Sequence, residues 1–170
     1  MRPLKFSLPI LAAFLLFGCA GYHLGPVNGA VAGERSIQVL PFNNQTLQPR
    51  LGDALTQSLR ENLQTDGTFR LVTSGPGDVI LSGVILGYTR LGVGYLSTDA
   101  ATPEDFRLEV TAHVTARDAV SGKVLLDKNV MGHTLVHVGS DLASAERQAL
   151  PLLAGDLAQN ITEFVTEGAW

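Results

Sequence analysis

The chain has 170 residues, of which 45% are hydrophobic, 6% aromatic and 16% charged, and 12 Lys plus Arg stand against 16 Asp plus Glu for a net charge of -4. That length suits one domain with a sizeable core, and ample apolar content with little charge excludes wholesale disorder and a low-complexity fibre. The acidic balance argues against general nucleic-acid binding, and the single cysteine, Cys19, excludes an intrachain disulfide and a multi-cysteine zinc site.

Arg2 and Lys5 precede an apolar run from Phe6 to Phe17 that ends at Gly18-Cys19-Ala20-Gly21. The run is shorter than the ~20 residues a bilayer-spanning helix requires, so residues 1–18 read as a cleaved signal peptide. Leu16-Phe17-Gly18-Cys19 resembles the bacterial lipobox, although Phe17 departs from the usual small or β-branched residue. In that motif the Cys thiol takes a diacylglycerol thioether and the freed amine a further acyl chain, because one chain alone anchors marginally. An ordinary signal peptide or a buried cysteine is the plain alternative; a lone cysteine that closes the apolar run favours lipidation. Ala20 after Cys19, where lipoproteins kept at the inner membrane mainly carry Asp, points to the outer membrane by resemblance to Lol-type sorting. Loss of residues 1–18 leaves ten basic against sixteen acidic side chains, so attraction to anionic lipid is not the means of attachment.

Residues 19–34 then read as a lipidated tether, rich in Gly, Ala and Val, and residues 35–170 as one domain. Ser36 to Phe42 is strand-like, with Pro41 at its end, and Asn43-Asn44-Gln45-Thr46 is a polar turn. Pro49 suits a first helical turn, Leu51, Leu55, Leu59 and Leu63 form a leucine stripe, and Gly67 is the stop. Phe69 to Val72 is a brief pairing segment. Asp78 to Tyr95 is a long strand whose first half is apolar on both faces. Ser97 to Asp105 reads as a polar loop, and Phe106 to Arg117 alternates cleanly, with Phe106, Leu108, Val110, Ala112, Val114 and Ala116 on one side. Asp118 to Lys123 makes a hairpin, and Val124 to Val138 returns as a strand whose alternation slips near Asp127-Lys128-Asn129, which predicts a bulge there. Ser140 with Asp141 caps a last helix, and Pro151 inside it predicts a kink or restart near Leu150. The order β-α-β-β-β-α predicts an α+β, two-layer sandwich: an antiparallel, possibly mixed, four-stranded sheet with two helices packed on one face.

Signals of catalysis are missing from the pattern. Of His23, His113, His133 and His137, none has the close-spaced partners of a helical metal site; His133 and His137 lie about 13 Å apart along a strand. Gly75-Pro76-Gly77 and Gly92-Val93-Gly94 complete neither a dinucleotide fingerprint nor a phosphate loop, and no Gly-x-Ser-x-Gly elbow occurs. The expectation is a non-enzyme with no metal and no cofactor beyond the covalent lipid on Cys19.

The string from Ile37 to Leu51 (IQVLPFNNQTLQPRL), running into the leucine-striped helix and Asp66-Gly67-Thr68-Phe69-Arg70-Leu71, resembles the lipopolysaccharide-assembly lipoprotein family LptE. Leu81 to Ile85, Ala119 to Leu125 and Asp141 to Ala149 are similar to that family in the same order. The resemblance implies an outer-membrane lipoprotein, anchored on the periplasmic side, that sits in the lumen of the β-barrel LptD, helps it assemble and contacts lipopolysaccharide during its insertion. Lipopolysaccharide phosphates require cations, for which Arg90, Arg107, Arg117, Lys123 and Lys128 are the candidates; solvated surface charge is the plain alternative for each. A clamp could pair Arg117 with Lys123 or Lys128, or Arg107 with Arg90. The rival reading is an envelope lipoprotein that binds or carries a small apolar ligand between helices and sheet.

Overall fold

The computed structural model describes residues 32–96, 98–138 and 141–168; the signal peptide, Cys19 and nearly all of the tether lie outside them. In chain order the elements are β1 (Ser36–Val39), β2 (Asn43–Asn44), α1 (Leu51–Asp66), β3 (Arg70–Val72), β4 (Val79–Leu96), β5 (Asp99–Asp118), β6 (Val124–His137) and α2 (Leu142–Glu167). One mixed, six-stranded sheet has the order β3-β1-β4-β5-β6, with β2 also on β4. β1 runs parallel to β3 and β4, whereas β4, β5 and β6 form an antiparallel meander. The class is the expected α+β, but the sheet is neither four-stranded nor wholly antiparallel. Two short segments make the difference. Asn43 and Asn44, expected as a turn, pair with Val84 and Ile85 while Asn44 also accepts hydrogen bonds from the Thr46 amide and hydroxyl. Arg70–Val72 pairs with Ser36–Gln38.

The leucine stripe of α1 is the core of the helical layer: Leu51, Leu55, Leu59 and Leu63 are all 0% exposed. They meet Leu153, Leu157 and Ile161 of α2 and the apolar face of the sheet in a single cluster. The two helices run the same way, since Asn62, Thr65 and Asp66 near the end of α1 lie beside Gln159, Thr162, Glu163 and Thr166 near the end of α2. Gly67 ends α1 in the left-handed conformation, its N–H bonded to the Leu63 carbonyl, as expected. The start differs: Pro49 precedes the helix, and Arg50 in the left-handed region (φ 66°) turns the chain into it without a side-chain cap.

α2 runs unbroken from Leu142 to Glu167 through Pro151, so no restart occurs. Pro151 is exposed, so its ring stands on the side of the helix away from the core. Its N-cap is Asp141, whose carboxylate accepts from the amides of Ala143 and Ser144. Close packing of α2 on β6 depends on Gly132, where a Cβ would lie 2.7 Å from Cα of Leu157.

Two further expectations move. The segment expected as a loop over Ser97 to Asp105 is mostly strand: β5 begins at Asp99 and pairs irregularly with Gly94, Tyr95 and Leu96, so the polar residues are carried by a bulged hairpin end. The slip in β6 lies at Leu125, skipped between the pairs Ala116 with Leu126 and Arg117 with Val124, and the register through Asp127, Lys128 and Asn129 is continuous. Asp118 to Lys123 is the expected hairpin, held by Asp118 accepting from Val120 N–H, Ser121 N–H and Ser121 Oγ.

Removing the Leu59 side chain beyond Cβ should cost about 2–5 kcal/mol, and Gly132→Ala about 1–3 kcal/mol because the clashing atoms are helix backbone. Chemical denaturation of both variants checks this. A Gly132→Ala midpoint equal to wild type would show that α2 can retreat from β6.

Candidate functional site

Alternation divides the sheet into a covered and an open face. Leu108, Val110, Ala112, Val114 and Ala116 of β5 are completely buried against the helices, which leaves Arg107, Glu109, Thr111, His113, Thr115 and Arg117 on the open face. The register with β4 and β6 sets the rows across that face. Arg117 lies between Ile80 and Val124, His113 between Val84 and Asn129, Glu109 between Thr89 and His133, and Arg107 between Leu91 and Leu135. Apolar side chains remain exposed there: Leu91 49%, Met131 57% and Leu135 63%. No described helix covers this face. Its upper rows combine a guanidinium with flanking aliphatic groups, an arrangement that suits an amphipathic or protein surface.

The five candidate cations do not share this face. Arg107 and Arg117 are on it, roughly 33 Å apart along β5. Lys123 is exposed in the adjoining hairpin and is the one candidate close to Arg117 in the chain fold. Arg90 pairs across from the buried Leu108, on the helix side, where it forms an ion pair with Glu146 of α2 and lies 6.0 Å from the Phe106 ring centroid. Lys128 pairs across from Val114, also on the helix side, with its ammonium 3.6 Å from the ring centroid of Phe164. The structure places Arg90 and Lys128 on the opposite face of the sheet from Arg107 and Arg117, and of the expected pairings it brings together Arg117 with Lys123.

The cause for Arg90 is local. Leu86 is an extra residue between the pairs Ile85 with Ala112 and Gly87 with Thr111, so the alternation of β4 inverts above it. Beside Arg90, the Tyr88 hydroxyl is enclosed without a hydrogen bond of ordinary geometry, and burial followed by the Glu146 carboxylate pushes it up to about 12. Glu146 has no signal in the sequence that marks it as the partner of a residue 56 positions earlier.

Sequence reasoning also missed the tie at the lower end of the sheet, where β1 and β4 begin. Asp78 accepts from the Ser36 hydroxyl (2.6 Å) and amide (2.8 Å), and these bonds hold its carboxyl below the usual range. Arg35 reaches Asp118 at 3.1 Å. The Gly33 amide donates to the Thr68 carbonyl, so the chain enters at this same end.

The described histidines each meet a carboxylate. His113 Nε2 is 3.2 Å from Asp127, His133 Nδ1 3.6 Å from Asp156, and His137 Nδ1 2.7 Å from Asp105 with Nε2 3.7 Å from Glu104. No group of three or more His, Cys, Asp or Glu among the described residues is placed to hold a metal ion. No described helix is long and apolar enough to cross a membrane.

A helix-backed mixed sheet with one open, partly apolar face defines an α+β domain of two layers. Solved structures share the fold at low identity. The hypothetical protein CT253 from Chlamydia trachomatis is 12% identical with TM-score 0.58, over 78% of this chain and 96% of that one. Protein XCC0632 from Xanthomonas campestris is 9% identical with TM-score 0.58, over 86% and 92%. A minor lipoprotein from Acinetobacter baumannii is 15% identical with TM-score 0.50, over 78% and 93%. No curated protein matches the chain. Residues 34–164 match the model of the family described as "LptE: Lipopolysaccharide-assembly", and the chain belongs to that family.

His137 offers a check on the geometry. The hydrogen bond to the Asp105 carboxylate, with smaller attraction from Asp105 and Glu104, raises it above 6.5. Its contribution to stability is thus complete below about pH 6.5 and is lost as pH rises through the folded-state value. An NMR titration should find His137 above 6.5 in the wild type and lower in Asp105→Asn.

Proposed function

We propose that this protein is a non-enzymatic outer-membrane lipoprotein, anchored through acyl chains on Cys19, that seats in the lumen of the β-barrel LptD, supports its assembly and assists lipopolysaccharide insertion. The single observation that carries the reading is the open sheet face, where Leu91 and Leu135 flank Arg107 and, with Met131, stand about half exposed or more. Family membership supplies the context of lipopolysaccharide assembly. A partner wall that covers this face would bury its aliphatic rows, and lipopolysaccharide phosphates would meet Arg107 at the upper end or Arg117 with Lys123 at the lower. In this reading Arg90 and Lys128 serve packing, since each spends its charge on the helical layer.

The apolar-carrier alternative gains no support from the groove between the helices. That groove, of about 350 Å³, is lined by Asn62, Thr65, Asp66, Gln159, Thr162, Glu163 and Thr166, with none of the aliphatic or aromatic side chains of the core among them.

Affinity purification from detergent-solubilised outer membranes should recover a large heat-modifiable barrel with the wild-type chain. Cys19→Ser should carry no radiolabelled palmitate and remain an uncut precursor. Persistent label on Cys19→Ser would overturn the anchor. Arg117→Glu/Lys123→Glu should change stability by less than about 1 kcal/mol while weakening lipopolysaccharide binding, and Arg107→Glu should act likewise. Variants that melt, hold the barrel and bind lipopolysaccharide as wild type does would leave the scaffold role and remove the phosphate contact.

A further inference from the structure

Above Ile85, β4 has a strand on one side alone. β5 pairs with it along its length, whereas the pairing of β1 and β2 with β4 reaches no further than Ile85, with the Gln45 amide bonded to the Ile85 carbonyl. Among the described residues, nothing pairs with the other edge of β4 from Gly87 upward.

Register tells which backbone groups that edge presents. On β6 the Met131 carbonyl and the His133 amide point away from β5, because they bond to Asn160 and Asp156 of α2. Their cross-strand partners Thr111 and Glu109 therefore turn towards β4, where they face Gly87 and Thr89. By alternation Gly87, Thr89 and Leu91 bond to β5, and Tyr88, Arg90 and Gly92 present N–H and C=O to the bare side.

The two edges of the meander are thus treated in opposite ways. On the β6 edge, Asn160 and Asp156 of α2 take up the Met131 carbonyl and the His133 amide. The β4 edge from Gly87 to Gly92 runs in unbroken register with Thr111 to Phe106, between the bulge at Leu86 and the irregular tip. It carries no Pro or Lys, and its one charge, Arg90, is drawn to Glu146. An edge left in this state is a template for another strand.

We infer that this edge receives an extended, uncharged segment of the barrel protein, added as a further strand along Tyr88 to Gly92; the inference rests on the plug reading above. Backbone donors and acceptors select a strand. Charge selects an uncharged one, since Arg90 is already neutralised and the flanking Thr89 and Leu91 offer no counter-ion to a charge taken out of water. Area argues against a second copy joined edge to edge, because a strand of about six residues falls well short of the roughly 1,200 Å² of a stable interface. A partner wall supplies the rest, as the bare edge is continuous with the open face at Leu91. The described chain is first held at the lower end, where the Gly33 amide bonds to Thr68, with β1 and β2 between that point and this edge.

The test is amide hydrogen exchange at single-residue resolution on the full lipidated chain, alone and in the complex purified with the barrel. Alone, Gly87, Thr89 and Leu91 should exchange slowly and Tyr88, Arg90 and Gly92 fast; in the complex those three should slow by at least about tenfold. A complex that forms and leaves them fast overturns the strand addition while the plug reading stands. Amides already slow in the chain alone assign the edge to this chain's own tether or a second copy, and overturn it too. If no barrel is recovered, the plug reading falls and this inference with it.

Discussion

The one-sided burial of β5 is the constraint on which the other features depend. Five consecutive inward positions from Leu108 to Ala116 are completely buried, and a slip of one residue would drive Arg107, Glu109, Thr111, His113 and Arg117 into the leucine layer. That cost pins the register of β5 against both β4 and β6. The rows of the open face follow from it, as do the positions of Met131 and His133 opposite α2 and the direction of every backbone group on the bare edge of β4.

Small residues decide how closely the layers approach. Ala112 and Ala116 on the inner side of β5, Gly132 on β6 and Ala154 and Ala158 on α2 are all buried and allow helix backbone to lie against strand backbone. Gly83 plays a matching part beneath the Phe42 ring, where a Cβ would come within 2.3 Å of a ring carbon. Phe42 in turn donates its amide to Thr56 Oγ1 on α1, so the turn after β1 is tied to the helix that follows. The leucines contribute transfer energy; these small residues allow that energy to be realised without voids.

Whatever depended on a local period was legible in the chain. The four leucines of α1 with Gly67 behind them, the clean alternation of β5 and the Asp118-to-Lys123 hairpin are all found at or within a residue of their expected places. Features that depended on counting through an irregularity were not. A single extra residue at Leu86 carries Arg90 to the helix side, although strict alternation from Ile80 and Val84 would leave it beside Arg107. Lys128 occupies an inward position because its long stem lets the ammonium reach the Phe164 ring at the margin of α2, which no pattern of apolar and polar residues signals. The short strands β2 and β3 fall below the length at which periodicity carries information, and the parallel pairing of β1 is a property of topology rather than of any window of residues.

The ends of the molecule differ in kind. At the lower end the chain enters beside Thr68, both helices finish without a basic residue in their last turns, and Asp78 and Asp118 are held charged by hydrogen bonds. Arg35, Arg70, Arg117 and Lys123 stand at the same end, so its charge is mixed rather than uniformly basic, and it offers no dedicated cationic surface to anionic headgroups. β4 then carries Leu91, Val93 and Tyr95 about 40–50 Å away from that end. The exposed aliphatic rows, Arg107 and the bare strand edge therefore lie together at the end opposite the chain entry. A plug that uses this face, as proposed above, would meet the wall of its partner there.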